Sequence, residues 1–175
     1  ELGGWPEEVY YSLLRCAILK GMLERSTEET AQAFLDCFNH RPSRAEPLWF
    51  LARLYRMKDK NATAYLYARM AAEIPYPEHE ILFIQNDVYS WAVLDEVAAT
   101  AFYAGFPEVG LQACNKLLSF DPGIVPIEHK QRIYDNKTSY EQVIEQIKVR
   151  KQEMDSANKQ KTPKKTYKTR KKQKV

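Results

Sequence analysis

Asp95 and Glu96 form an adjacent carboxylate pair of the kind that could do acid–base chemistry. The surrounding pattern places both in the first turn of a helix, where acids interact favourably with the helix dipole. Adjacent helical positions diverge by ~100° at 3.6 residues per turn, so the two carboxylates are poorly placed to share one reacting centre. We therefore predict no catalytic residue in this chain.

The cysteines and histidines are the other residues that could carry chemistry. There are three of each, widely spaced: Cys16, Cys37, Cys114, His40, His79 and His129. None has the CxxC or HxxxH spacing of a metal site, so we predict no metal and no cofactor. Each cysteine falls in the apolar phase of a helical pattern, which predicts small buried hydrophobes in a reducing compartment.

The charge of the chain is divided unevenly along its length. Residues 156–175 hold nine of the 26 Lys and Arg residues and no acid, so the other residues carry 17 basic against 23 acidic groups. The tail is rich in Lys, Thr and Gln and is predicted to be disordered. It could contact a polyanion such as nucleic acid or an anionic membrane, or it could be a solubilising terminus. Tyr167 is its single aromatic residue, so stacking on bases would be weak.

The sequence contains no run of 18 apolar residues, so no transmembrane segment is predicted. Its start is acidic and lacks the basic and apolar regions of a signal peptide, which favours a cytoplasmic location. Because residue 1 is not Met, we expect the chain to be a segment of a longer polypeptide.

Apolar residues recur at three- and four-residue steps through most of the chain, which predicts helices. Pro6 lies in the first turn of one helix, and Ser26 and Ser43 are predicted N-caps of the next two. Later helices are predicted to start near Trp91 and Pro107.

Two regions interrupt or weaken this pattern. Residues 74–90 are predicted to form a long connection whose apolar residues 81–84 need burial. A seventh helix is predicted from Pro126 to about residue 137, and a thinner helical pattern continues over residues 139–154.

Small residues centre the first helix of each predicted helix pair, at Ala17, Ala52 and Ala98. Their spacings are 35 and 46 residues, and the surplus over a 34-residue repeat falls in the long connection. The middle unit is similar to the tetratricopeptide pattern, with Ala52, Ala64 and Ala71 at small positions that let paired helices approach closely.

These patterns predict an all-α fold. We expect a tetratricopeptide-like right-handed solenoid of about three helix pairs, plus a capping helix, over residues 1–138. A helical extension would follow at 139–155, and the disordered basic tail at 156–175. The alternative is a helical bundle without repeats.

A solenoid of this kind would present a concave groove that binds an extended peptide or protein segment. The candidate groove residues are Glu46, Trp49, Arg53, Arg56, Asp95, Phe102 and Tyr103. The aromatic residues would anchor apolar groups and the arginines would pair with carboxylates. Alternatively, the arginines form a solvated face and the aromatics only pack the helices.

Arg44 is predicted to form a buried polar pair with Asp95 or Glu96, which would bridge neighbouring repeats.

Several short motifs also occur in order along residues 3–136: GWPEEVYY (4–11), RPSRAEPL (41–48), AYLYA (64–68), IPYP (74–77), DVYSW (87–91), LDE (94–96) and GLQAC (110–114). Together they resemble the helical-repeat region found C-terminal to family 2 glycosyltransferase domains.

The resemblance implies that these repeats follow a nucleotide-sugar-binding domain of mixed α/β fold. The present sequence has no Asp-x-Asp pair and no Gly-rich phosphate loop. We therefore expect a non-catalytic interaction module, the accessory part of such a glycosyltransferase, with a peptide, protein segment or glycan acceptor in its groove. The alternative is a stand-alone adaptor whose basic tail binds anionic partners.

Overall fold

The computed structural model describes residues 5–161 of the chain, with side chains described for residues 5–157. These residues form seven α-helices and one short π-helical segment, and this range contains no β-strand. The helices are α1 (Pro6–Met22), α2 (Thr27–His40), α3 (Glu46–Met57), α4 (Asn61–Ala72), α5 (Val93–Thr100), α6 (Pro107–Leu118) and α7 (Ile127–Lys161). The all-α prediction is confirmed for this part of the chain.

The π-helical segment Val88–Ala92 leads directly into α5. Each helix packs against the next one along the chain, and α5 additionally contacts α3 and α7. Ala17, Ala52 and Ala98, the predicted small centres, are all buried. In residues 5–161, no helix combines the length and the apolar character needed to cross a bilayer.

The predicted starts of α2 and α3 had different outcomes. The Ser26 side chain accepts a hydrogen bond of 3.1 Å from the Glu29 backbone N–H, so Ser26 caps α2 as predicted. Ser43 does not cap α3, which begins at Glu46 without a side-chain cap. Its hydroxyl donates instead to the Glu80 carboxylate, 3.0 Å away.

The connection between α4 and the π-helical segment is held against α1. The Glu7 carboxylate of α1 accepts backbone N–H groups from Ile81 and Leu82, at 3.2 and 2.6 Å. The Phe83 ring stacks on Tyr11, with ring centroids 4.2 Å apart. The prediction that residues 81–84 must be buried was wrong for Ile81, which is 78% exposed, and for Phe83. Backbone hydrogen bonds to Glu7 and Arg44, together with the stacking of Phe83 on Tyr11, fix this part of the connection.

The two helical patterns at the C-terminal end belong to one helix. α7 runs from Ile127 to Lys161 without a break, so it passes through the predicted boundary at 138–139 and enters the first six residues of the predicted tail. Its first half buries Ile133 and Tyr140, whereas every residue from 141 to 157 is exposed or only partly buried. Residues 162–175, the rest of the predicted tail, lie outside the described residues.

Tyr140 fixes α7 against the α5–α6 pair. Its hydroxyl donates to the Ala98 carbonyl oxygen at 2.7 Å and accepts from the Phe102 backbone N–H at 2.9 Å. Its ring lies so close to Gly110 of α6 that a Cβ atom there would overlap the ring. This close approach explains why the α6 position needs glycine although glycine weakens a helix interior.

We expect Gly110→Ala to lower the free energy of unfolding by about 1–3 kcal/mol, because the new methyl group displaces Tyr140. Gly21→Ala is the matched control, since a Cβ at Gly21 would meet only the Thr30 methyl carbon at 3.5 Å. The control should be neutral or stabilising by up to about 1 kcal/mol. Urea denaturation followed by circular dichroism measures both, and equal effects of the two changes would contradict the packing.

Candidate functional site

A buried arginine occupies the junction of α1, α3 and the α4–α5 connection. The Arg44 side chain is fully buried, and its Nη2 atom donates to Glu46 at 2.6 Å and to the Phe83 carbonyl oxygen at 2.8 Å. Its Nη1 atom donates to Glu80 at 2.7 Å. The predicted pairing of Arg44 with Asp95 or Glu96 is therefore not formed, because Glu46 and Glu80 take its donors.

Glu46 is the main acceptor in this cluster and is also fully buried. Its carboxylate accepts from the Tyr10 and Tyr89 hydroxyls, at 3.1 and 2.8 Å, and from the Gln85 backbone N–H at 3.2 Å. Burial, together with the Glu46 charge, raises the pKa of Tyr10 well above its ordinary value. Glu46 was predicted to line a groove, but its position inside this saturated cluster gives it a structural role.

The cysteines differ from one another in accessibility. Cys37 and Cys114 are fully buried as predicted, and burial raises the pKa of their thiols to about 12 and about 11. Such thiols are poor nucleophiles. Cys16 is exposed, contrary to the prediction. It precedes the buried Ala17 by one position, and one helical step turns its side chain ~100° away from the buried face of α1.

Four of the predicted groove residues line one open cavity of about 290 Å³ between α3, α5 and α7. We call it the Trp49 groove. Its lining includes the predicted residues Trp49, Arg53, Arg56 and Asp95, together with Glu96, Trp91, His129 and Arg132. Phe102 and Tyr103 do not reach it and line a separate cavity of about 170 Å³ beside Tyr140.

Ion pairs between helices organise the Trp49 groove. Arg56 of α3 holds Glu96 of α5 in a two-point hydrogen bond, with nitrogen–oxygen distances of 2.7 and 2.9 Å. Arg132 of α7 donates to the Asp95 carboxylate at 2.7 Å. Glu96 is nearly inaccessible to solvent, so its charge depends on the Arg56 partner.

Arg53 is the groove arginine that has no carboxylate of its own among these pairs. Its closest carboxylate is Glu96 at 3.9 Å, and both Glu96 oxygens already accept from Arg56. The Arg53 side chain is 44% exposed, and its guanidinium lies over the Trp49 ring, 4.7 Å from the ring centroid. The indole nitrogen of Trp49 donates to the Ala92 carbonyl oxygen at 3.2 Å, which fixes the ring.

The groove lining also contains residues that were not predicted as site residues: Asp87, Trp91, Ala92, His129 and Arg132. The His129 ring lies 5.0 Å from the Trp91 ring, and its Nδ1 atom is 3.2 Å from Arg132. Because a guanidinium can only donate, this contact requires an unprotonated Nδ1. The polar sequence of α7 indicated only a capping helix. Trp91 belongs to the π-helical segment, and the helical periodicity of the sequence did not predict where that segment begins.

The groove offers recognition chemistry: two indole rings, an exposed guanidinium, the arginine-paired carboxylates of Asp95 and Glu96, and the exposed carboxylate of Asp87. Among the side chains of the described range, no group of three or more His, Cys, Asp and Glu residues is placed to hold a metal ion. The chain matches no known protein-family model, and no curated protein is significantly similar to it in sequence. Its function is therefore inferred from the groove.

Glu80 should make folding stability sensitive to acid. Burial raises the pKa of Glu80, but hydrogen bonds from Arg44, Arg41 and Ser43 outweigh this effect and lower it overall. The stabilisation is thus present above the carboxyl pKa of the unfolded chain, about 4.3, and is lost as pH falls through the lower folded value.

Glu80→Gln should lower the free energy of unfolding at neutral pH by about 1–3 kcal/mol. Below about pH 5, this free energy should fall less steeply with falling pH in the variant than in the wild type. Urea denaturation over a pH series measures both quantities. Glu78→Gln, a change at an exposed residue two positions away, should have the same free energy of unfolding as the wild type and the same dependence on pH. Equal acid sensitivity of Glu80→Gln and the wild type would show that the Glu80 contacts do not contribute.

The two groove arginines of α3 should differ in their contribution to stability. Arg56→Ala leaves the buried Glu96 charge without its main partner, and we expect a loss of about 1–2 kcal/mol after allowance for solvent at the pair. Arg53→Ala removes an exposed cation and should cost less than about 0.5 kcal/mol. Thermal or urea unfolding of the two variants tests this order, and a larger loss for Arg53→Ala would contradict it.

Proposed function

We propose that the chain is a non-catalytic helical-repeat interaction module that binds an extended peptide or protein segment in the Trp49 groove. The observation that carries this proposal is Arg53, an exposed and weakly paired cation that rests on a fixed indole ring inside a cavity. The groove presents an apolar face and a free hydrogen-bond donor at the same point. That combination suits a partner with both apolar and anionic groups.

The proposal includes a tetratricopeptide-like right-handed solenoid. In it, α1 pairs with α2, α3 with α4 and α5 with α6, and α7 covers the last pair. The additional contacts of α5 with α3 and with α7 support this stacking for the second pair, the third pair and the covering helix, because first helices of successive pairs lie side by side in a solenoid. The buried small residues at Ala52 and Ala98 support close packing within the pairs.

The resemblance of the sequence motifs supports a more specific setting. In this setting the chain is the C-terminal accessory part of a family 2 glycosyltransferase, and the groove holds a protein or glycan acceptor for the catalytic domain. The free cysteines, among them the exposed Cys16, support a reducing and hence cytoplasmic compartment.

Binding to a peptide array tests the proposed function. The wild type should bind a subset of peptides, and Trp49→Ala and Arg53→Ala should each weaken that binding by about tenfold, as expected for interface anchors. Arg69→Ala is the matched control, since the Arg69 side chain on α4 is 43% exposed and lies outside the groove.

A chain ending at Lys161 should keep the peptide binding. Binding that is confined to polyanions and lost with residues 162–175 would contradict the groove and favour the adaptor alternative. Equal binding by Trp49→Ala and the wild type would also contradict it.

A further inference from the structure

A second cavity continues the binding surface on the other side of Arg53. It has a volume of about 750 Å³, lies between α1, α2 and α3, and shares Arg53 with the Trp49 groove. We call it the α1–α3 pocket. Its apolar lining is Ile18, Met22, Phe34, Phe50, Leu54 and Met57.

Two helical stripes face each other across this pocket. Ile18 and Met22 are four residues apart on α1, and Phe50, Leu54 and Met57 follow at four- and three-residue steps on α3. Met22 and Met57 are 72% and 74% exposed. Exposed methionines adapt to the shape of an apolar partner, so this surface is suited to binding one.

The rim of the α1–α3 pocket carries unbalanced positive charge. Its charged lining residues are Arg25, Arg53 and Lys58 against Glu24 alone. Among the described residues, neither Arg25 nor Lys58 has an acidic side chain within 4.0 Å, and Arg53 only shares Glu96 with Arg56. This rim is cationic although residues 1–155 as a whole carry a net negative charge.

We propose that the α1–α3 pocket and the Trp49 groove together bind an acidic peptide segment with bulky apolar side chains. The apolar side chains enter the pocket, and the carboxylates pair with Arg25, Arg53 and Lys58. This inference rests on the proposed function and adds the chemistry of the partner.

Two other occupants fit the same surface less well. The basic residues of this chain beyond residue 158 have the same charge sign as the rim and would be repelled by it. A nucleic acid would need free aromatic faces for its bases, but Phe34 and Phe50 stack on each other with centroids 5.3 Å apart. An acidic, apolar peptide satisfies both the rim charge and the apolar lining.

The test uses the full chain and three fluorescein-labelled peptide pools in a polarisation assay. One pool combines Asp or Glu with Leu, Ile, Phe or Met, one replaces the acids with Lys or Arg, and one replaces the apolar residues with Ser. An oligothymidylate serves as a polyanion without apolar side chains. We expect only the acidic and apolar pool to bind well, and its affinity to fall as salt rises from about 50 to about 500 mM.

The variants address the charges and the apolar lining separately. The double change Arg25→Glu and Lys58→Glu should raise the Kd for the acidic and apolar pool at least ~10-fold, as should Met57→Asp. Arg150→Glu and Met154→Asp on the exposed end of α7 are matched controls, with changes below about twofold. If the reversed-charge variant does not fold by circular dichroism, Arg25→Gln with Lys58→Gln replaces it.

The outcomes separate this inference from the proposed function. Peptide binding that is lost in Trp49→Ala but unaffected at Arg25 and Lys58 would overturn the acidic-peptide inference and leave the groove in place. Tight binding of the Ser-containing pool or of oligothymidylate would overturn it as well, since the apolar lining would then be unused. Absence of binding by every pool would overturn both proposals.

Discussion

The buried ion pair of Arg44 and Glu46 is the interaction on which the arrangement of α1, α3 and the connection leading into α5 depends. Two charges removed from water are tolerated only if each is fully hydrogen-bonded, and here the partners come from α1, α3 and the long connection. Glu46 also accepts from Tyr89, in the segment that leads into α5. The pair therefore fixes where α5 begins relative to α3, and this sets the position of Glu96 opposite Arg56.

The charge pattern of the Trp49 groove follows from the way ion pairs are distributed between the helices. Each acid of α5 has a partner on another helix: Glu96 on α3 and Asp95 on α7. Both Glu96 oxygens and one Asp95 oxygen accept from arginines in these pairs. Arg53, at the place where the two cavities meet, is the groove arginine without a hydrogen-bonded carboxylate. The same ion pairs that join the helices thus determine which arginine of the groove lacks a close carboxylate.

The helical periodicity of the sequence predicted the elements better than their contacts. It predicted the helices, the Ser26 cap and the shared location of Trp49, Arg53 and Arg56, because these depend on short spacings along one helix. It did not predict the partners of Arg44: Glu46 lies only two residues away but was assigned to the groove, and Glu80 lies 36 residues away in a connection without a period. The contribution of α7 to the groove was missed for the same reason, because it depends on how distant helices pack.

The length of α7 has a consequence for how the Trp49 groove and the far end of this helix influence each other. From Tyr140, the last buried residue among residues 127–157 of the helix, to Lys161 the chain rises about 32 Å at 1.5 Å per residue. This distance is several times the screening length of about 8 Å at physiological ionic strength. A charge bound at the Lys161 end of α7 is therefore electrically independent of the groove. A partner held there would instead act as a tether, raising the local concentration of whatever it carries.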